Sequence, residues 1–367
     1  MKAHFGVADY KFLGAICFLV LFGLMVLASA SNVMAAQRFD DSYFFVKRQL
    51  LYGVLPGILA LYVFAKLDYH LLRRLAMFIF VLMIGVLILP FLPGIGSTLG
   101  TAAHSWIVIG SFSVQPAEFA KLGSIVFLAA YMSHHVESVT NFKEGFLLTL
   151  GLAMIPITLV ILQPDIGTVF ILFGILFAML FFGRTRYTHL SLLAFAGVIL
   201  FLIMIWAAPY RAARFTTFLH PELDPLGQGY HINQAFLAIG SGGLFGQGLG
   251  HSKQKFAYLP EVHADSIYAV MAEELGFIVA AGFLFLLVYI VFLGFKIAKH
   301  APDTFGQLLV AGIMAWFFIQ SLLNIGAMVG LLPLTGVPLP FVSHGGTALM
   351  VSLAAVGMVV NVSKQRV

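Results

Sequence analysis

The chain of 367 residues is 61% hydrophobic and only 10% charged, with a mean hydropathy of +1.00. Soluble domains carry about 25% charged residues, so this chain cannot cover itself with polar side chains and a soluble multidomain protein is excluded. The formal net charge of +5 is too dispersed to suggest a nucleic-acid partner, and the lone Cys17 rules out an intrachain disulfide.

A helix needs about 20 mostly apolar residues to cross the hydrocarbon core. Stretches that meet this lie near 11–31, 50–67, 74–93, 116–133, 145–163, 165–183, 188–208, 266–294, 303–331 and 342–362. The expected fold is an all-α polytopic membrane protein of about ten transmembrane helices, forming one domain over 1–367. The first stretch has no small-residue cleavage pattern followed by a soluble domain, so it reads as an uncleaved helix. Gln163, Pro164 and Asp165 separate the fifth and sixth stretches, and the proline marks a tight turn.

Lys and Arg favour cytoplasmic loops. With the N-terminus inside, the inner segments hold 12 basic residues and the outer ones 7, with Lys121 left within a helix. Both termini are therefore expected in the cytoplasm, with loops 94–115 and 209–265 facing outward. The larger loop, between helices 7 and 8, contains an apolar but short stretch, 235–250, which reads as interfacial or re-entrant. Its glycines either let backbone approach a phosphate or pack a hairpin closely.

Ionisable groups at membrane depth cost about 2.5–3.5 kcal/mol each on insertion scales and persist where they pair or function. Gln115 and Pro116 open a helix on which Glu118 and Lys121 share a face. That pair is either a structural ion pair or a pocket in which Lys121 meets an anion. Asp165 caps the next-but-one helix or contributes to a pocket. Glu261, His263 and Asp265 lie where the large loop meets the eighth helix. Asp265 is either a cap or a general base, since a carboxylate at a low-dielectric boundary gains a raised pKa. Glu273 and Glu274 fall about 12 Å deeper, and one of them is expected to pair with another helix. The prolines and glycines of 330–348 break helical structure at membrane depth, which is tolerated only around a protein-lined or wet cavity. No nucleotide-binding, zinc-protease or hydrolase motif is present in the sequence.

The stretches WIVIGSFSVQPAEFAK (106–121), QPDIGT (163–168), 209–250, YLPEVHADSIYAVMAEELG (258–276) and NIGAMVGLLPLTGVPLPFVSHGG (324–346) resemble the SEDS glycosyltransferases (shape, elongation, division and sporulation) over nearly the whole chain. RFDDSYFFVKRQ (38–49) and GLGHSKQKFAYLPE (248–261) look more like the division member FtsW than the elongation member RodA. The chain departs from the usual pattern at Ala264, Ser266, His344 and Ala348, which stand for threonine, phenylalanine, tyrosine and serine.

The resemblance implies ten transmembrane helices in a SEDS-type fold. It also implies polymerisation of lipid II, the undecaprenyl-pyrophosphate-linked disaccharide peptide, at the outer face of the bacterial cytoplasmic membrane, at the division septum. Asp265 falls on the family's catalytic aspartate, and would deprotonate the acceptor hydroxyl as it attacks. Lys121, Arg211, Arg214, Lys253 and Lys255 are the candidates to hold the departing pyrophosphate, with Glu118, Glu261, His263 and Ser343 as further substrate contacts. A divalent cation (Mg or Mn) could share that task. The implied partners are a class B penicillin-binding transpeptidase and other division proteins. Two rivals stand beside this reading: a lipid II flippase, in which Glu118, Lys121 and Asp165 couple transport, and a non-catalytic division scaffold.

Overall fold

The computed structural model describes residues 8–97, 105–110, 112–135, 141–207, 209–224, 227, 229–256 and 258–365. Lys2 and Arg366, which entered the charge balance, lie outside the described residues, as do parts of both outer loops. Each of the ten stretches expected from the sequence is helical over most of its length. Among the described residues, eight helices are long and apolar enough to cross a membrane, one apolar helix is shorter at 17 residues, and the helix carrying Glu118 and Lys121 spans 19 residues.

Helix α1 (Tyr10–Phe39) starts where the Asp9 carboxylate accepts the Phe12 N–H at 3.1 Å, satisfying a free donor of the first turn. It runs well past the expected end at residue 31, because nothing before the left-handed Asp40 interrupts it. Helices α2 (Phe44–Gln49) and α3 (Leu55–Lys66) are joined by a π-helical turn at Leu50–Val54. Pro56 has no N–H to close the normal hydrogen bond there, which accounts for the widened turn.

Helix α4 (His70–Ile88) leads to the first of the two outer loops. Three short antiparallel strands form there, β1 (Gly96–Ser97), β2 (Trp106–Ile109) and β3 (Phe112–Val114), with Ile107 opposite Val114. Helices α5 (Pro116–His134), α6 (Leu148–Leu162), α7 (Ile166–Phe182) and α8 (Tyr187–Trp206) follow. The large loop contains α9 (Pro209–Leu219) and α10 (Tyr230–Ser241), and the chain ends with α11 (Ile267–Lys299), α12 (Thr304–Met328) and α13 (Gly346–Lys364).

The centre of the bundle is α12, which packs against α5, α7 and α11, while α13 lies along α3. Helix α8 touches mainly α7 and α9 and exposes Phe195, Val198, Leu202 and Trp206, an apolar face suited to lipid. At the end of the bundle away from the large loop, the Asp9 N–H donates to Ser363 Oγ at 3.2 Å, and Tyr69 donates to Asp303 at 2.7 Å. The two ends of the described chain therefore lie at the same face.

Helix α11 is broken rather than continuous. Gly276 adopts φ 77°, and beside it the stretch Gly242–Gly250 folds back as a tight hairpin. Gln247 and Gly248 donate backbone N–H groups to Glu273 and Glu274 carbonyls at 2.9 and 3.0 Å, and Phe277 donates to Gly243 at 2.9 Å. A Cβ on Gly276 would lie 2.3 Å from the Gly246 nitrogen, so the approach requires glycine. Of the two readings of this glycine run, close packing is the one the structure displays.

Candidate active site

A cavity of about 830 Å³ opens among α1, α7, α8, α9, the turn before α11 and the irregular segment 330–345. This is within the range of ligand sites. It lies at the bundle end to which the large loop belongs, and prolines Pro333 and Pro338 contribute to its wall, as broken helix at membrane depth led one to expect.

Asp265 sits on that wall, in the turn just before α11. Three polar anchors hold its backbone. Asn324 on α12 donates its amide to the Asp265 carbonyl and to the Val337 carbonyl, both at 2.8 Å. Ser343 donates to the neighbouring Ala264 carbonyl, and the His344 N–H donates to the His263 carbonyl at 2.8 Å. Gln49 in turn clamps the 343–345 stretch, donating to the Ser343 carbonyl at 3.2 Å and accepting from the Gly345 N–H at 2.9 Å. These links explain why α13 begins only at Gly346, later than the expected start near 342. Ser343 is thus a support for the site rather than a group that lines the cavity.

Burial pushes the Asp265 carboxyl up to about 7, and the nearby Glu261 carboxylate adds to the shift. Arg214 and the Ser266 hydroxyl oppose it. His263 and His344 are held below the ordinary imidazole range mainly by burial, His344 down to about 3. Both imidazoles are therefore neutral at physiological pH. They pack with Phe45, with ring centroids 4.2 and 5.1 Å from it.

Arg211, Arg214, Glu261, Gln115 and Asp165 also line the cavity. Asp165 caps α7, accepting from the Thr168 N–H at 3.0 Å and its hydroxyl at 2.9 Å, and Gln115 reaches it at 3.3 Å. Pro116 occupies the first turn of α5 and is buried. The cap and the pocket readings of Asp165 thus hold together. Arg211 also donates to the Met204 carbonyl at 3.2 Å, which ties α9 to α8.

The other expected anion contacts lie elsewhere. Lys121 is buried, 2.8 Å from Glu118 Oε1 and 2.8 Å from Gln320 Oε1, with its ammonium 5.0 Å from the Trp316 ring centre. Gln320 carries the link onward to the Pro338 carbonyl at 2.8 Å. Neither Lys121 nor Glu118 lines the cavity, so this pair ties α5 to α12 and supports the wall from behind. Lys255 is buried as well, 2.8 Å from Glu274 and bonded to the Gly250 carbonyl at 2.7 Å. Glu274 also accepts from Ser29 on α1, while Glu273 accepts from the Lys253 N–H at 2.8 Å. Lys253 itself is exposed and outside the cavity lining. The Lys255 side chain thus staples the glycine hairpin.

Arg38, Phe45 and His231 line the cavity without having been singled out as site residues from the sequence, beside His344, one of the departures from the family pattern. Arg38 is there because α1 continues beyond the expected span. An arginine, two aspartates and aromatics close together in RFDDSYFF were the only local signal. Among the described residues, no cluster of three or more His, Cys, Asp or Glu could hold a metal ion. A divalent cation here would draw most of its ligands from a bound pyrophosphate.

Residues 10–367 match the family described as cell cycle protein, the grouping of FtsW, RodA and SpoVE. The chain is 42% identical to stage V sporulation protein E of Bacillus subtilis over 348 residues, covering 94% of each chain. It is 38% identical to a probable peptidoglycan glycosyltransferase FtsW of Trichlorobacter lovleyi, covering 99% of this chain and 95% of that one. Among solved structures it resembles a chain of "Structural coordination of polymerization and crosslinking by a peptidoglycan synthase complex", with TM-score 0.80, 26% identity and 98% coverage of each chain. The rod shape determining protein RodA of Thermus thermophilus matches with TM-score 0.72, 25% identity and the same coverage. On matched length, identity and fold together, this chain belongs to the FtsW, RodA and SpoVE family.

Proposed function

We propose that the chain is a peptidoglycan glycosyltransferase that polymerises lipid II at the outer face of the bacterial cytoplasmic membrane, with Asp265 as general base. The observation that carries this reading is the Asp265 carboxyl, its pKa raised by desolvation, in one cavity with three arginines, Arg38, Arg211 and Arg214. The acceptor hydroxyl must lose a proton as its oxygen attacks the donor's anomeric carbon. Asp265, with a pKa near neutrality, is matched to that step. The bond from the anomeric carbon to the pyrophosphate oxygen breaks, and the leaving group takes the electron pair. Guanidinium groups in a cavity of low dielectric stabilise that charge. A divalent cation, when bound, would add positive charge at the pyrophosphate.

The apolar walls from Phe170, Phe201 and Phe215 suit the lipid end of the donor, with the arginines at the headgroup. The two ends of the described chain, together at the face away from the cavity, are cytoplasmic in this orientation, as the charge balance suggests. The names and assemblies of the relatives support a class B penicillin-binding transpeptidase as partner. The FtsW-like motifs favour a role at the septum, and the likeness to a sporulation protein makes sporulation the alternative setting.

The test is polymer formation from labelled lipid II by the purified protein, alone and with its cognate transpeptidase, for wild type and Asp265→Ala. Polymer from the wild type and none from a folded variant supports the assignment. Equal polymer from both removes Asp265 from the chemistry. No polymer from either, with the partner present, favours flipping or scaffolding.

A further inference from the structure

The cavity has a smaller annex of about 180 Å³, shared through Arg214, His231, Asp265 and Gly336. His231 projects there from α10. Its Nε2 lies 2.6 Å from the Ser266 hydroxyl, which lies 2.7 Å from the Pro260 carbonyl and 3.5 Å from Asp265 Oδ1. Carboxyl, hydroxyl and imidazole therefore form a continuous chain from Asp265 to His231, which borders both the main cavity and the annex. Ser266 makes this possible at a position where the resemblance expects phenylalanine, which has no hydroxyl to bridge the two groups.

We propose that His231 is a positioning residue that acts on Asp265 through the Ser266 hydroxyl, orienting the carboxyl and carrying its proton away after glycosyl transfer. The inference rests on Asp265 being the base. In the resting state the imidazole N–H donates to Ser266 Oγ, and the Ser266 hydroxyl proton is shared between the Pro260 carbonyl and, at the longer 3.5 Å, the Asp265 carboxylate. After transfer Asp265 carries the acceptor's proton. The Asp265 O–H bond then breaks as its proton passes to Ser266 Oγ, while the serine's own proton passes to His231 Nε2 in its other tautomer. The imidazolium releases a proton to water in the annex, and Asp265 is again a carboxylate.

Transfer to His231 is uphill and transient, because Asp265 holds its proton more tightly than the buried imidazole beside Arg214 does. Burial and the Arg214 guanidinium hold His231 down to about 4, so the imidazole is neutral and has a lone pair to offer. The charged groups that face the chain are Arg214 on α9 and Glu261 in the turn before α11. From α12 comes the uncharged Asn324, and from the turn and the 330–345 segment come the neutral His263 and His344. An imidazolium that is unfavourable at rest does not trap the proton, and Arg214 drives it outward.

The experiment uses the full-length protein with its transpeptidase and lipid II. His231→Gln keeps an N–H donor for Ser266 but offers no basic nitrogen. Its kcat is expected to fall about tenfold with KM unchanged, and its solvent deuterium isotope effect to rise. Added imidazole should restore His231→Ala and leave His231→Gln slow. Wild-type kcat and an unaltered pH profile in His231→Gln would overturn the proposal. A second measurement requires no turnover: infrared difference titration of the Asp265 carboxyl. Ser266→Ala should raise its midpoint, because a hydrogen bond that favours the carboxylate is lost. A shifted midpoint in a protein that makes no polymer would keep the coupling and discard the glycosyltransferase reading. An unmoved midpoint in a polymerising enzyme would discard the coupling alone.

Discussion

The Asn324 side chain holds the main-chain carbonyl of Asp265 at 2.8 Å, across 59 residues of sequence. The same amide group also reaches the Val337 carbonyl, so one side chain fixes Asp265 relative to the proline-rich wall. Asn324→Leu keeps the volume and removes both bonds. A shift of about 1 Å in a catalytic group can cost about 100-fold in rate. Polymerisation by Asn324→Leu is expected to show kcat reduced about 10- to 100-fold with little change in KM, in steady-state assays with labelled lipid II.

The Asp265 carboxyl should control the pH dependence of both rate and stability. As a base it works ionised, so log kcat should rise with slope one and level off above about pH 7. Its folded pKa of about 7 lies above the ordinary value of 3.8, so the folded state retains a proton that the unfolded chain releases between these values. Stability from this group therefore falls as pH rises through that window. Asp265→Asn removes the cost, and thermal unfolding in detergent should show it more stable than wild type above pH 7, by at most about 4 kcal/mol. The two proteins should converge below about pH 4.

The Glu118 and Lys121 pair should behave as structure. Removing one partner of a buried ion pair costs about 3–5 kcal/mol, whereas replacing both with apolar groups is often neutral. Lys121→Met is expected to lower thermal stability sharply, and Glu118→Leu combined with Lys121→Met to recover most of it. If the pair carried substrate, the double variant would be stable and inactive. Comparing unfolding with polymerisation in the same three proteins decides this.

Arg38 should matter to substrate binding although it is distant in sequence from the other cavity arginines. Arg38→Ala, Arg211→Ala and Arg214→Ala are each expected to raise KM for lipid II about tenfold. Lys253→Ala should leave KM unchanged, because that side chain is exposed and outside the cavity. Initial rates over a lipid II titration check all four.

Gly276→Ala tests the break in α11. A Cβ there would meet the Gly246 nitrogen, and φ 77° disfavours any side chain. A loss of about 2 kcal/mol or more is expected, visible as a lower unfolding temperature and faster proteolysis of the 242–256 segment.

The membrane class, the positions of the helical stretches and the place of Asp265 where the large loop meets the eighth helix were legible in the sequence. Apolar run length is a local property, and the cost of bare backbone in lipid leaves few structures for such runs to adopt. The cavity beside segment 330–345 was legible for the same reason: prolines and glycines there forbid a helix. Assigning each charge to one job was not possible. Lys121, Lys253 and Lys255 looked like partners for a pyrophosphate, yet two of them are buried against Glu118 and Glu274, and Arg38 takes a place on the cavity wall. The link from His231 through Ser266 to Asp265 was equally invisible, since it joins α10 to the turn before α11. Which face a charge presents, and what meets it there, depends on helices packed from far apart in the chain. Only the tertiary structure decides those distances, because side-chain pairing acts over a few ångströms and sequence separation says little about it.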